Sequence, residues 1–299
     1  MLPLRPLGRT NLPVSPIGFG GAVIGIPDYL DGDDRDSAQF QEQADNTVLA
    51  AFRAGITYFD TAPGYGAGRS ESVLGRVLEP YRDRVVYATK VQVDPADDPQ
   101  KWWDSLHASL ERLRTDHVEV LQLHGSSWPD EKARWAVEGP GEWLAEVKSR
   151  GLASFVGTTA EVPSGGLELM LRSGRFDVLQ MAYNVIYQAA CDFQRKPPFG
   201  PIPLAKSLGL GVTTMRTTTS GMLHRLILRD FPDLDPVKLS RLAIRYVLST
   251  PQVDCALIGM SRPAEVAANV ALAADENDRI DVVRMHDPYD ADWDAARPT

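Results

Sequence analysis

Residues Ile56–Gly68 read ITYFDTAPGYGAG. Four strand-favouring residues, Ile56–Phe59, end in an aspartate, and a turn with three glycines follows. A carboxylate that closes an apolar strand calls for a partner, because a lone charge is rarely buried. The construction repeats downstream: RVVYATK ends in Lys90, and VEVLQLH ends in His124. Three ionisable groups at three successive strand ends point to one shared mouth, as in a barrel of parallel strands.

Working outward, eight apolar runs read as strands: Pro16–Gly20, Ile56–Phe59, Val85–Thr89, Val118–Leu123, Ala153–Gly157, Val178–Met181, Gly211–Met215 and Cys255–Ile258. Runs this apolar suit strands covered on both faces. Helical patterns separate them. Asp98-Pro99 is a start signal, followed by Trp103, Leu106, Leu110 and Leu113 at helical spacing. Asp235-Pro236 repeats it, with Leu239, Leu242 and Tyr246 behind. A shorter helix, Asn46–Ala54, closes on Gly55. The strand ends near Asp60, Lys90, His124, Gly157, Gln180, Met215 and Gly259 lie 30, 34, 33, 23, 35 and 44 residues apart. That spacing suits serial βα units, and eight of them close into a (β/α)8 TIM barrel, class α/β. An open doubly wound sheet competes, but no G-x-G-x-x-G follows a strand. No linker or internal repeat divides residues 1–299, so the reading is a single barrel domain.

Composition narrows the function. The 299 residues carry a net charge of −9, which argues against nucleic acid and anionic membranes as partners. Cys191 and Cys255 are the only cysteines, too few for a disulfide framework or a cysteine zinc site, and no metal cluster is expected. The N-terminus lacks the apolar core of a signal peptide, so a cytoplasmic protein is expected. Two stretches are acidic: Gly25–Asp45, with seven acids against Arg35, and Asp275–Thr299, with eight acids against three bases. They read as solvated loop and tail, or as segments flanking the barrel mouth.

The strand-end residues define a chemistry. Tyr65 lies five residues past Asp60, in the glycine-rich turn. A Lys90–Asp60 pair beside it would stabilise phenolate and lower the tyrosine pKa, so that Tyr65 donates a proton near neutral pH. A His124 N–H would polarise a carbonyl oxygen. Such a site protonates oxygen while hydride reaches carbon, and side chains cannot supply hydride, so a nicotinamide is implied.

At this point a resemblance becomes specific. The segments LGRTNLPVSPIGFGG, FDTAPGYGAGRSE, ATK, LQLHGSS, VLQMAYN and IGMSRPAEVAANV occur in the order and spacing of the aldo-keto reductase superfamily, over roughly residues 4 to 272. The resemblance implies a barrel with an N-terminal β-hairpin and a C-terminal tail. It also implies extended NAD(P)H binding without a doubly wound fold, and the catalytic tetrad Asp60, Tyr65, Lys90 and His124. It further implies that Gln180 and Thr159 hold the nicotinamide carboxamide, although Ala160 stands where Asn is common. Met215 takes the place of an aromatic ring over the nicotinamide. Arg216, Thr217, Ser220 and Gly221 belong to the loop over the pyrophosphate. Gly259, Ser261, Arg262, Glu265 and Asn269 form the adenosine end. Arg262 beside a helix start suits a 2′-phosphate, so NADPH is favoured. Glu265 opposes phosphate and keeps NADH as the alternative.

The resulting expectation is a carbonyl reductase that passes hydride to an aldehyde or ketone, with a small-molecule carbonyl or alcohol as partner. The rivals are an NAD-dependent dehydrogenase of a sugar-like alcohol and a nucleotide-binding regulatory subunit without turnover. Loops Gly25–Asp45 and Gly125–Gly139 and the tail set the substrate in the family. Tyr29 and Trp128 are candidate pocket residues, and acidic loops would disfavour strongly anionic substrates. The family includes monomers, and nothing in the sequence fixes an oligomeric state.

Overall fold

The computed structural model describes residues 2–26 and 37–286. A two-stranded antiparallel hairpin, β1 (Arg5–Pro6) and β2 (Pro13–Val14), precedes eight parallel strands. These are β3 (Ile17–Gly20), β4 (Tyr58–Asp60), β5 (Val86–Val91), β6 (Val118–Leu123), β7 (Ala153–Ala160), β8 (Val178–Ala182), β9 (Gly211–Met215) and β10 (Cys255–Ile258). They close in chain order, with β10 hydrogen-bonded to β3. All eight coincide with the apolar runs, three of them residue for residue and the rest to within three residues at the ends.

Alternation along each strand sorts the side chains. Phe19, Phe59, Tyr87, Leu121 and Leu179 join the buried layer between strands and helices. Tyr58, Val86, Ala88, Val120, Val178, Cys255 and Leu257 fill the barrel interior. Leu7 and Val14 of the hairpin belong to that same interior cluster. The hairpin lies across the start of β9, where Arg9 N–H donates to the Gly209 carbonyl. A Cβ on Gly8, itself at φ +49°, would sit 2.2 Å from the Gly211 nitrogen, so both chains need the bare backbone there.

The helices depart from the sequence reading in particular ways. The helix expected over Asn46–Ala54 runs Ala38–Arg53 and starts at a Ser37 cap, inside the stretch read as an acidic loop. Its buried face is Phe40, Ala44, Thr47, Val48 and Ala51, too weakly apolar to stand out. The stretch Gly125–Gly139, read as a loop, holds the helix Asp130–Glu138. Asp98 Oδ1 accepts from Gln100 N–H, so the start signal there is real, but Trp102 is buried more deeply than Trp103. In the helix Pro236–Leu248, Leu242 is 55% exposed, and Ala243 and Val247 join Leu239 and Tyr246 on the inner face. No helix among the described residues is long and apolar enough to cross a membrane. Both cysteines are buried and free, and burial pushes the Cys191 thiol up to about 12.

Candidate active site

The strand ends of β4, β5 and β6 deliver the charged residues to one side of the barrel. Register pairs Asp60 with Ala88, and Lys90 with Gln122, so inward residues of neighbouring strands step around the mouth. Lys90 is fully buried and spends its three protons at once. Its Nζ donates to Asp60 Oδ1 at 2.7 Å, to the Thr61 carbonyl at 2.7 Å and to the Tyr65 hydroxyl at 3.3 Å. It also lies 4.9 Å from the centre of the Tyr65 ring.

The turn after β4 explains how Tyr65 reaches this point. Gly66, Ala67 and Gly68 all have left-handed φ, and a Cβ on Gly25 would meet the Tyr65 carbonyl at 2.4 Å. The glycines let the chain fold tightly over itself and aim the phenol at the ammonium. A second layer holds β5 from behind. Glu71, fully buried, accepts from Thr89 Oγ1 at 2.6 Å and from Arg112 Nε at 2.7 Å. His124 faces the Tyr65 ring edge-on, with centroids 6.1 Å apart.

Electrostatics set the protonation states. Burial lowers Lys90, but the Asp60 carboxylate and Tyr65 more than offset it, and the amine is held charged. Burial raises the Asp60 carboxyl, and Lys90 and Gln180 pull it back. Burial, reinforced by Lys90, lowers His124 to about 4, so its ring is neutral at physiological pH and offers an N–H without a charge.

A cleft of about 260 Å³ opens above these groups. Asp60, Tyr65 and His124 line it, together with Thr159, Gln180, Met215, Arg216, Thr217, Ser220 and Gly259. Lys90 lies beneath it. Arg216, Thr219, Ser220 and Gly221 have φ of +58°, +58°, +50° and +74°. These left-handed residues turn the loop tightly back on itself, with the Thr219 N–H donating to the Arg216 carbonyl at 2.7 Å and the Gly221 N–H to the Thr218 carbonyl at 3.1 Å. Asn184 supports the loop by donating to the Arg216 carbonyl at 2.8 Å. At the rim, Arg216 pairs with Glu161 at 2.6 Å, bridging the loops after β7 and β9.

Other expected residues lie elsewhere. Trp128 is a correction: it is fully buried, packs on Gly125 and donates to the Thr159 carbonyl at 2.8 Å, outside the cleft lining. An indole N–H with a backbone partner beside it turns inward. Tyr29 lies outside the described residues. The Thr159 hydroxyl donates to the Gly125 carbonyl and accepts from the Gly125 N–H, so its one proton is spent and it can only accept from a ligand. Thr217 is spent likewise on the Leu257 carbonyl. Ser261, Arg262, Glu265 and Asn269 sit at and along the helix Pro263–Ala274, outside the cleft. Glu265 accepts from the Ser261 N–H at 2.7 Å and from the Arg262 N–H at 3.3 Å, which caps that helix. Sequence reasoning passed over Gln122, Glu71 and Glu161. The first had a signal: a polar residue inside an apolar strand, on the same face as His124.

A family model described as the aldo/keto reductase family matches residues 16–287. The chain therefore belongs to the aldo/keto reductase family. It is 27% identical to L-galactose dehydrogenase of Arabidopsis thaliana, over 90% of this chain and 87% of that one. It is 28% identical to the NADH-specific methylglyoxal reductase of Escherichia coli, over 76% and 70% of the two chains. An aldo-keto reductase from Bacillus halodurans shares the fold with a TM-score of 0.73 at 23% identity, covering 96% of this chain and 95% of the other.

Proposed function

We propose that the protein is an NAD(P)H-dependent carbonyl reductase in which Tyr65 is the general acid. The observation that carries the reading is the Lys90 ammonium, held between the Asp60 carboxyl and the Tyr65 hydroxyl at the floor of the cleft. The cleft suits a dinucleotide: an amide and a thioether from Gln180 and Met215 near the tetrad, and the left-handed loop Arg216–Gly221 beside them. When bound, the reduced nicotinamide supplies the hydride that no side chain can.

The chain's own residues handle the proton and the oxygen. Tyr65 donates its hydroxyl proton to the substrate oxygen as charge develops there. Lys90 stabilises the phenolate left behind, because its N–H already points at that oxygen. Asp60 keeps the ammonium charged and fixed, and the Thr61 carbonyl holds its third proton. Neutral His124 donates to the substrate oxygen and orients it without placing a second cation in the mouth.

Run in reverse, the same groups oxidise an alcohol, with Tyr65 accepting the proton. The Arabidopsis relative acts as a dehydrogenase, and the Glu265 carboxylate already occupies the helix start where a 2′-phosphate would bind. These two observations keep an NAD-dependent dehydrogenase of a sugar-like alcohol as the second reading. A panel of neutral aldehydes and ketones, assayed with NADPH and with NADH, tests the proposal. Carbonyl-dependent cofactor oxidation supports the reductase. Turnover only of sugar-like alcohols with NAD supports the dehydrogenase. Binding of neither nucleotide overturns both.

A further inference from the structure

One inward side chain in the layer of the tetrad has no part in the chemistry above. Gln122 sits on β6, two residues before His124, and is fully buried. Its Nε2 donates to Gln180 Oε1 at 2.9 Å. Its own Oε1 has no partner among the described residues. A buried amide that leaves its acceptor unpaired in order to donate elsewhere carries a cost, so the bond it does make has a use.

The bond fixes which end of Gln180 faces the cleft. An amide carries two donors on nitrogen and an acceptor on oxygen, and rotation by half a turn exchanges them. Gln180 donates from Nε2 toward Met215 Sδ, 3.8 Å away on the cleft wall. Gln180 also pulls the Asp60 carboxyl down, the effect of an N–H and not of a carbonyl oxygen on the Asp60 side. The Gln180 oxygen is then buried on the opposite side and needs a donor, which among the described residues only Gln122 gives it.

We propose that Gln122 is a positioning residue: it locks the Gln180 amide with its N–H groups toward the cleft, and so tunes the site to a pyridine ring whose substituent offers a carbonyl oxygen. This inference rests on the proposed function, since it takes Gln180 as the partner of the nicotinamide carboxamide. Without Gln122, the Gln180 oxygen is left unpaired and the amide can turn. A carboxamide can pair with either face of a turned Gln180. A 3-acetyl group, which has no N–H, can pair only with the locked one.

The test is Gln122→Met, a substitution of similar volume without a donor, with Gln122→Leu as a second variant should the first fold poorly. Dissociation constants are measured by tryptophan fluorescence for the reduced dinucleotide, for its 3-acetylpyridine analogue and for ADP-ribose, which lacks the pyridine ring. We expect the dinucleotide to weaken about tenfold, the size of one buried hydrogen bond. The acetylpyridine analogue weakens more, and ADP-ribose is unchanged. In a Gln180→Met background, Gln122→Met causes no further loss, because its effect runs through Gln180. Equal weakening of ADP-ribose, a loss that persists in the Gln180→Met background, or no loss at all overturns the inference. If wild-type protein binds ADP-ribose as tightly as the dinucleotide, the nicotinamide reading of Gln180 fails instead, and the inference falls with it.

Discussion

The two ends of the barrel are built from the same strands and do opposite things. Along β5 the inward residues run Val86, Ala88, Lys90; along β6 they run Val120, Gln122 and then His124; along β8 they run Val178, Gln180. Each strand turns from apolar to polar within two to four residues. The starting end is closed by Leu7 and Val14, which pack into the interior apolar cluster. The finishing end holds a buried ion pair, two amides and a neutral histidine beneath an open cleft. Stability is stored at one end, and the other spends part of it on groups that water would otherwise solvate.

Breaking the finishing end has the larger effect. Lys90→Met leaves the Asp60 carboxyl buried without its cation. A loss of about 3–5 kcal/mol in denaturant unfolding is expected, together with loss of activity or an upward shift of the kinetic pKa of the acid. A wild-type pH profile in an active Lys90→Met enzyme contradicts the role given to the ammonium. Leu7→Ala tests the starting end. It opens a cavity and costs about 2–5 kcal/mol, but KM for cofactor at the folded protein stays as in wild type. A change in KM would show that the hairpin does more than close the barrel.

The histidine sharpens the comparison through pH. In the folded protein His124 titrates at about 4, whereas an unfolded histidine titrates near 6.5. Above pH 6.5 it is neutral in both states and contributes nothing. As pH falls from 6.5 to 4 the unfolded chain takes up the proton first, and stability falls by up to about 3 kcal/mol. His124→Gln removes that part of the pH dependence, which unfolding curves at pH 7 and pH 4.5 would reveal. Equal pH dependence in the two proteins would mean that the ring is already charged in the fold. The smallest effect belongs to the start of the helix Pro263–Ala274: Glu265→Arg should raise the preference for NADPH over NADH about tenfold, the size of one charge-assisted contact. An unchanged ratio of the two dissociation constants would remove Glu265 from cofactor choice.

The same contrast explains what the sequence could and could not disclose. Strands covered on both faces leave apolar runs, so all eight were legible, and charges that interrupt such runs exposed Asp60, Lys90 and His124. The start of the helix at Ala38 was not legible, because Phe40 and Val48 share its inner face with Ala44, Thr47 and Ala51 and its cap lies among acids. Trp128 follows His124 closely enough to suggest the pocket, but chain position does not give side-chain direction, and the Thr159 carbonyl draws the indole inward. Glu265 was visible as a charge near a helix start. Its use as a helix cap depends on the Ser261 and Arg262 N–H groups converging on it, which only folding brings about. Gln122 was overlooked because one amide in an apolar strand resembles a tolerated exception until Gln180 is seen beside it.

Tyr65→Phe asks whether the phenol delivers the proton. The substitution removes one oxygen and keeps the ring that packs against Lys90 and His124. Cofactor affinity and carbonyl turnover are measured on the same preparation. The dissociation constant for the reduced nucleotide is expected to be unchanged and kcat to fall at least about a hundredfold, as for a lost general acid. Turnover at the wild-type rate would contradict that role for Tyr65 and pass the proton to another group.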